Sequence, residues 1–167
     1  MRINFKAIKC QTSSNKKLFG LCDDPPPATS PAYIDEEDGA RWIAVVENEY
    51  LYAVTFTAID NCIEIRRDDG KMDKRCDGVL TYGTNVIFVE LKVRGALRSA
   101  WVKDAEIQLK TTISYFEKTE DAEEYLHKKA YIANSEHPKF KASQTSRMDK
   151  FFDDTGYVLR VENRIRI

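Results

Sequence analysis

Apolar residues crowd two short runs in the middle of the chain, Val79-Leu80 and Val86-Ile87-Phe88-Val89, with Thr81-Tyr82-Gly83-Thr84-Asn85 between them. Runs of this length around a turn-rich link predict a β-hairpin over residues 75–82 and 85–93. Beyond it Trp101, Ala105, Leu109, Thr112, Ile113 and Phe116 recur at helical spacing. That stripe predicts an amphipathic helix, with Ser99 placed to cap it. Residues 128–133 predict a strand, residues 146–152 a short helix, and residues 156–161 and 165–167 a terminal β-hairpin.

Upstream the pattern is weaker. Residues 2–9 alternate enough for an edge strand. Residues 11–31 are rich in Ser, Asn, Lys and Pro and include Pro25-Pro26-Pro27, which predicts an arm or covering loop without helix or central strand. The acids Asp35, Glu36, Glu37 and Asp38 suit the positive end of a helix dipole and predict a helix within residues 33–46, against which Gly39 counts. Residues 49–57 have strand character, and residues 58–67 fit a helical turn or a strand. The expectation is one domain over residues 1–167 of mixed α/β (α+β) class. A central mixed sheet is flanked by helices, with an N-terminal strand and Pro-rich arm (1–34), a core (60–135) and a C-terminal β-hairpin.

Length and composition refine this only mildly. At 167 residues, 43% hydrophobic and 32% charged, the chain can bury one real core. No apolar stretch reaches the length of a membrane span, and Met1-Arg2-Ile3-Asn4-Phe5-Lys6 lacks signal-peptide features. Cys10, Cys22, Cys62 and Cys76 fall at irregular spacings, which predicts reduced thiols in a cytoplasm; a zinc site using them with His127 and His137 is the other reading. The net charge of −1 excludes coating nucleic acid through bulk charge. Locally, however, Lys92, Arg94, Arg98, Lys103 and Lys110 face only Asp104 and Glu106, and Arg75 precedes Asp77. A basic rim on an acidic centre suits a polyanion held near a metal, whereas solvated surface charge is the plainer alternative.

The acidic centre is Asp77 with Glu90-Leu91-Lys92. Side chains alternate along a strand, so Glu90 and Lys92 emerge on one face, and hairpin pairing brings Asp77 alongside. Ions beside an apolar strand are costly unless paired or bound to metal. One reading is a buried salt bridge of Lys92 with Glu90 or Asp77. The other is an oxygen site for Mg²⁺ formed by two carboxylates and the backbone carbonyl between them, with Lys92 holding or deprotonating a water. Gln108 lies on the inward stripe of the following helix and needs a partner, either a core-edge group or this site. Asp69-Gly70-Lys71 also has the acid-x-Lys form but lacks apolar flanks.

On these residues the chain resembles the PD-(D/E)XK nuclease superfamily, the restriction-endonuclease-like fold. Cys76-Asp77-Gly78 stands for the Pro-Asp element, Glu90-Leu91-Lys92 for the (D/E)-x-K element, and the strand, strand, helix, strand order over residues 60–135 matches the family core. The resemblance implies that Asp77, Glu90 and the Leu91 carbonyl hold Mg²⁺ or Mn²⁺ and that Lys92 is the catalytic lysine. Gln108 resembles the glutamine of the exonuclease-like branch, although Thr112 stands where that branch carries tyrosine. The acid of the first core helix is open among Glu47, Asp60 and Glu64, with Asp60 and Glu47 ahead. Arg75, Arg94, Arg98 and Lys103 are the expected substrate contacts. The implied activity is hydrolysis of phosphodiester bonds in DNA, with RNA open, in defence, repair or recombination. A non-catalytic nucleic-acid-binding or assembly subunit is the alternative. Cutting both strands would call for a homodimer or repeated nicking, and targeting for a partner protein.

Overall fold

The computed structural model describes residues 2–93, 100–135 and 144–167. Its strands are β1 (Gln11–Ser14), β2 (Leu18–Cys22), β3 (Tyr33–Asp35), β4 (Ala44–Glu47), β5 (Val54–Ala58), β6 (Gly78–Tyr82), β7 (Asn85–Lys92), β8 (His127–Asn134), β9 (Val158–Val161) and β10 (Arg164–Arg166). The α-helices are α1 (Ala100–Phe116) and α2 (Thr145–Thr155). The first sheet has the order β1-β5-β6-β7-β8-β9 and the second β10-β4-β2-β3. Strands β5, β6 and β7 run antiparallel; α1 then crosses over so that β8 lies parallel to β7, and β9 parallel to β8. The class is mixed α/β, with two mixed sheets and two helices among the described residues.

The first sheet is covered on both faces. Along β7, Val86 and Phe88 pack with α1 residues Trp101, Ala105, Leu109, Ile113 and Phe116. Ile87, Val89 and Leu91 pack against Phe19, Leu21, Val46 and Ile165 of the second sheet. Burial on both faces is why β7 reads as a continuous apolar run rather than an alternating one. Strand parity puts Glu90 and Lys92 on the helix face. Helix α2 is fastened to α1 by the Arg147–Glu106 ion pair and by Lys110, which reaches Glu106 at 3.0 Å and Asp154 at 2.9 Å. Trp42 lies across the second sheet at Gly20, where a Cβ would fall 1.9 Å from the indole, so the strand carries glycine there.

The predicted central hairpin, α1 with its inward stripe, β8 and α2 all form. Ser99 lies outside the described residues. Several N-terminal expectations are corrected. Residues 2–9 make no strand; they lead into a 3₁₀ turn at Ile8–Cys10. The supposed arm contains β1 and β2, and β2 is an interior strand of the second sheet, between β3 and β4. The acidic run starts no α-helix, because Asp35 accepts the backbone N–H groups of Glu37 (3.2 Å) and Asp38 (2.8 Å) and the Trp42 indole N–H (2.8 Å). A carboxylate that folds back on its own backbone makes a turn. Residues 33–47 accordingly form β3, a 3₁₀ turn at Gly39–Arg41 and β4.

The terminal strands exist but do not pair with each other: β9 joins β8 in the first sheet and β10 joins β4 in the second. The expectation of four reduced thiols is also corrected. Cys10 and Cys62 form a disulfide, while Cys22 and Cys76 are free and buried. That pairing removes Cys10 and Cys62 from the zinc reading with His127 and His137 and takes away one ground for the cytoplasmic expectation; His137 lies outside the described residues. No helix among the described residues is long and apolar enough to cross a membrane.

Candidate metal and active site

The site forms where β6 begins and β7 ends. Antiparallel pairing sets Gly78 opposite Val89, so Asp77 stands next to Glu90 just past the ladder. Close packing fixes this corner. A Cβ on Gly78 would lie 2.2 Å from the Phe56 ring, so glycine lets β6 settle on β5. The Asp77 carbonyl accepts the Ile59 N–H at 2.9 Å, and the Cys76 carbonyl accepts the Asp60 N–H at 3.2 Å. From the helix side Thr112 accepts the Cys76 N–H at 2.8 Å and donates to the Gln108 carbonyl at 2.9 Å. The strand start is therefore held from the segment just after β5 and from α1 at once.

Asp77 and Glu90 are both buried, at 8% and 2% exposure. The Asp77 N–H donates to Glu90 Oε1 at 3.1 Å, and the Leu91 N–H donates to Asp77 Oδ2 at 2.6 Å. In a strand the N–H and C=O of one residue point to the same side, so the Leu91 carbonyl is also turned toward the Asp77 side. Lys92 Nζ reaches Glu90 Oε2 at 2.9 Å and donates to Gln108 Oε1 at 3.0 Å. Gln108 uses its other end to donate to the Arg75 carbonyl at 3.3 Å. Its partners are thus the lysine of the motif and the backbone that leads into Asp77.

Burial pushes the Asp77 carboxyl well above the usual carboxylate range, and the Glu90 charge adds to it. Burial raises Glu90 too, against the opposing pull of Lys92. Two desolvated carboxylates this close repel, and a shared proton or a cation relieves them. Burial likewise raises the Cys76 thiol, which leaves it a packed, unreactive group.

Among the remaining predicted site residues, Asp60 is near: its carboxylate is paired with Arg75 at 3.0 Å, and its charge acts on Asp77. That pair occupies Arg75, whose other guanidinium nitrogen reaches the Ile63 carbonyl at 3.3 Å. Glu47 is engaged elsewhere, held by Arg164 and Arg166 on the second sheet. Glu64 pairs with Arg66 at 3.3 Å on the surface. Lys103 is exposed on α1, while Arg94 and Arg98 lie outside the described residues.

One acid escaped the sequence reading. Asp23, directly after β2, is pushed up to about 7 by burial together with the charges of Asp77, Asp60 and Asp24. It therefore belongs to the same electrostatic corner, approached from the second sheet. The Leu18-Phe19-Gly20-Leu21-Cys22 run just before it was the available signal, since an apolar run can deliver the next residue to a sheet end.

The donor set consists of hard oxygens: two carboxylates that repel and a backbone carbonyl, the kind of group Mg²⁺ and Mn²⁺ take. Among the described residues no group of three or more His, Cys, Asp or Glu side chains forms a compact ligand cluster, so the fit rests on Asp77, Glu90 and the Leu91 carbonyl. No family model, curated protein or solved structure matches the chain.

Proposed function

We propose that this protein is a Mg²⁺- or Mn²⁺-dependent nuclease that hydrolyses phosphodiester bonds of DNA on a restriction-endonuclease-like core. The observation that carries the reading is the buried Asp77–Glu90 pair with the Lys92 ammonium against it. The succession β6, β7, α1, β8 supports the resemblance in the same segment. Asp77, Glu90 and the Leu91 carbonyl would hold the metal, which when bound would polarise a phosphoryl oxygen and acidify a water. Lys92 sits on the same strand face as Glu90 and would orient the attacking water and offset charge on the phosphate. Gln108 keeps the lysine aimed by accepting from its ammonium while anchored on the Arg75 carbonyl. Thr112 and the residues 59–60 backbone keep Asp77 in register with Glu90.

One such site cuts one strand, so double-strand cleavage would come from a homodimer or from successive nicks. The test is incubation of labelled single- and double-stranded DNA and RNA with Mg²⁺ or Mn²⁺, alongside Lys92→Ala. Metal-dependent DNA cleavage that falls at least ~100-fold in the variant is the expected result. Cleavage indifferent to the substitution would remove the mechanism.

A further inference from the structure

We infer that the end of the first sheet opposite the Asp77–Glu90 corner is a docking platform for single-stranded nucleic acid, built on Tyr50, Leu51, Tyr52 and Tyr82. The proposal rests on the nuclease reading only for the class of polymer; its surface shares no residue with the metal corner. Tyr82 ends β6 and Asp77 precedes its start, which separates them by roughly 17 Å at the rise of a strand.

Tyr50, Leu51 and Tyr52 are 71%, 59% and 42% exposed, three consecutive large side chains that a folding chain would otherwise bury. The loop that displays them is nevertheless rigidly built. Asn48 is fully buried beneath it; its side chain donates to the Tyr52 carbonyl at 2.9 Å and the Lys16 carbonyl at 3.2 Å and accepts the Tyr52 N–H at 2.9 Å. Its backbone N–H donates to the Lys17 carbonyl at 2.8 Å. Leu51 is held at φ 55°, the left-handed region that a branched side chain seldom adopts. Strain of this kind persists where the surroundings over-determine it, and it gathers at functional surfaces.

The chemistry of the surface fits the same occupant. The Tyr50 and Tyr52 rings lie 6.0 Å apart and the Tyr52 and Tyr82 rings 4.9 Å apart, a continuous aromatic path from the loop onto the sheet. In register Tyr82 faces Asn85, and Asn85 faces His127, so hydrogen-bonding side chains continue the row. Lys129 lies one step further on the same sheet face, opposite Ile87. Lys16 and Lys17 are exposed and tied to the tyrosine loop through Asn48. Against these three lysines the loop itself offers one acid, Glu49. Exposed rings flanked by cations match unpaired bases on a phosphate backbone, because stacking needs a free base face and the phosphates need positive charge. Duplex bases are already stacked on one another, which makes the single strand the fitting occupant.

The test is fluorescence anisotropy of a labelled 12-nucleotide single strand and the matching duplex with the full chain in EDTA, where no metal-dependent cleavage intervenes. The expected result is preference for the single strand, weakened roughly tenfold or more in Tyr50→Ala/Tyr52→Ala, with circular dichroism unchanged. Lys16→Glu/Lys17→Glu should weaken binding and flatten its salt dependence. Equal affinity of the tyrosine variant and the parent overturns the proposal, as does preference for duplex. No oligonucleotide binding at all also overturns it and leaves a protein as the occupant of the rings. The two readings separate cleanly: platform binding without cleavage under any metal would sink the nuclease, and cleavage untouched by the tyrosine variant with no single-strand binding would sink the platform.

Discussion

The backbone N–H of Asp77 donates to the Glu90 carboxylate at 3.1 Å, while the residue after Glu90 returns a 2.6 Å bond to the Asp77 carboxylate. Each acid is aimed by the other's strand, so neither can turn away from the other to relieve the repulsion between them. Under the proposed function, fold stability and cation binding oppose each other at this corner.

Asp77→Asn separates the two. The amide oxygen keeps accepting from Leu91, while the charge beside Glu90 is gone. The metal-free variant should melt at a higher temperature than the parent at neutral and alkaline pH, and cleavage should fall at least ~100-fold. Differential scanning calorimetry and a DNA-cleavage assay measure both. A lower melting temperature would show that repulsion at this corner has been overrated.

The pH dependence has a definite sign. Asp77, Glu90 and Asp23 all sit above the ordinary carboxylate range when folded, with Asp23 at about 7. Between the unfolded value of ~4 and the folded values the native chain holds more protons than the unfolded one. These groups therefore favour folding at acid pH, and their contribution is lost as pH rises from about 4 through the folded values. Mn²⁺ should consequently raise the melting temperature more at pH 8 than at pH 5.5, because fewer protons compete for the carboxylates. A metal-induced shift that grows toward acid pH would contradict the assignment.

Thr112 links α1 to the strand start through one hydroxyl. Thr112→Val keeps the shape and strands the buried Cys76 N–H, which should cost ~1–3 kcal/mol in urea unfolding and weaken Mn²⁺ binding by calorimetry. Thr112→Ser should restore most of both. Equal behaviour of the two variants would make the hydroxyl irrelevant to the site.

The Cys10–Cys62 disulfide joins cysteines 52 positions apart in sequence and tethers the connection that carries Asp60. Cys62→Ser should lower stability by ~2–4 kcal/mol in non-reducing unfolding. Under thorough reduction parent and variant should converge, and a difference that persists there would locate the effect elsewhere.

How much of the fold and site was legible depends on the range of the contacts. The block from Asp77 to Asn134 was readable because hairpin alternation and the α1 stripe are local periodicities, and Glu90, Lys92 and Gln108 ride on them. β2 was hidden by its polar, proline-rich surroundings, since Phe19 and Leu21 acquire an inward face only once β4 lies beside them. Val158, Leu159 and Ile165 looked like a hairpin because proximity in sequence cannot show that β9 and β10 belong to different sheets. Asp23 was invisible for a related reason: its neighbours in the corner, Asp60 and Asp77, come from another sheet. Asp35 had the composition of a helix start, yet a bond to its own backbone outweighed the dipole.

Strand β4 has Val45 opposite Gly20 on one side and Arg164 on the other. The first neighbour is local, while the second is made only after all of the intervening chain has been synthesised. Until it arrives, β4 presents a bare ladder of amides beside an apolar layer, a template for foreign strands. Ordering of the second sheet should therefore be a late, slow event limited by loop closure rather than by local propensity. It is also the stage at which a newly made chain is most exposed to sticking to its neighbours.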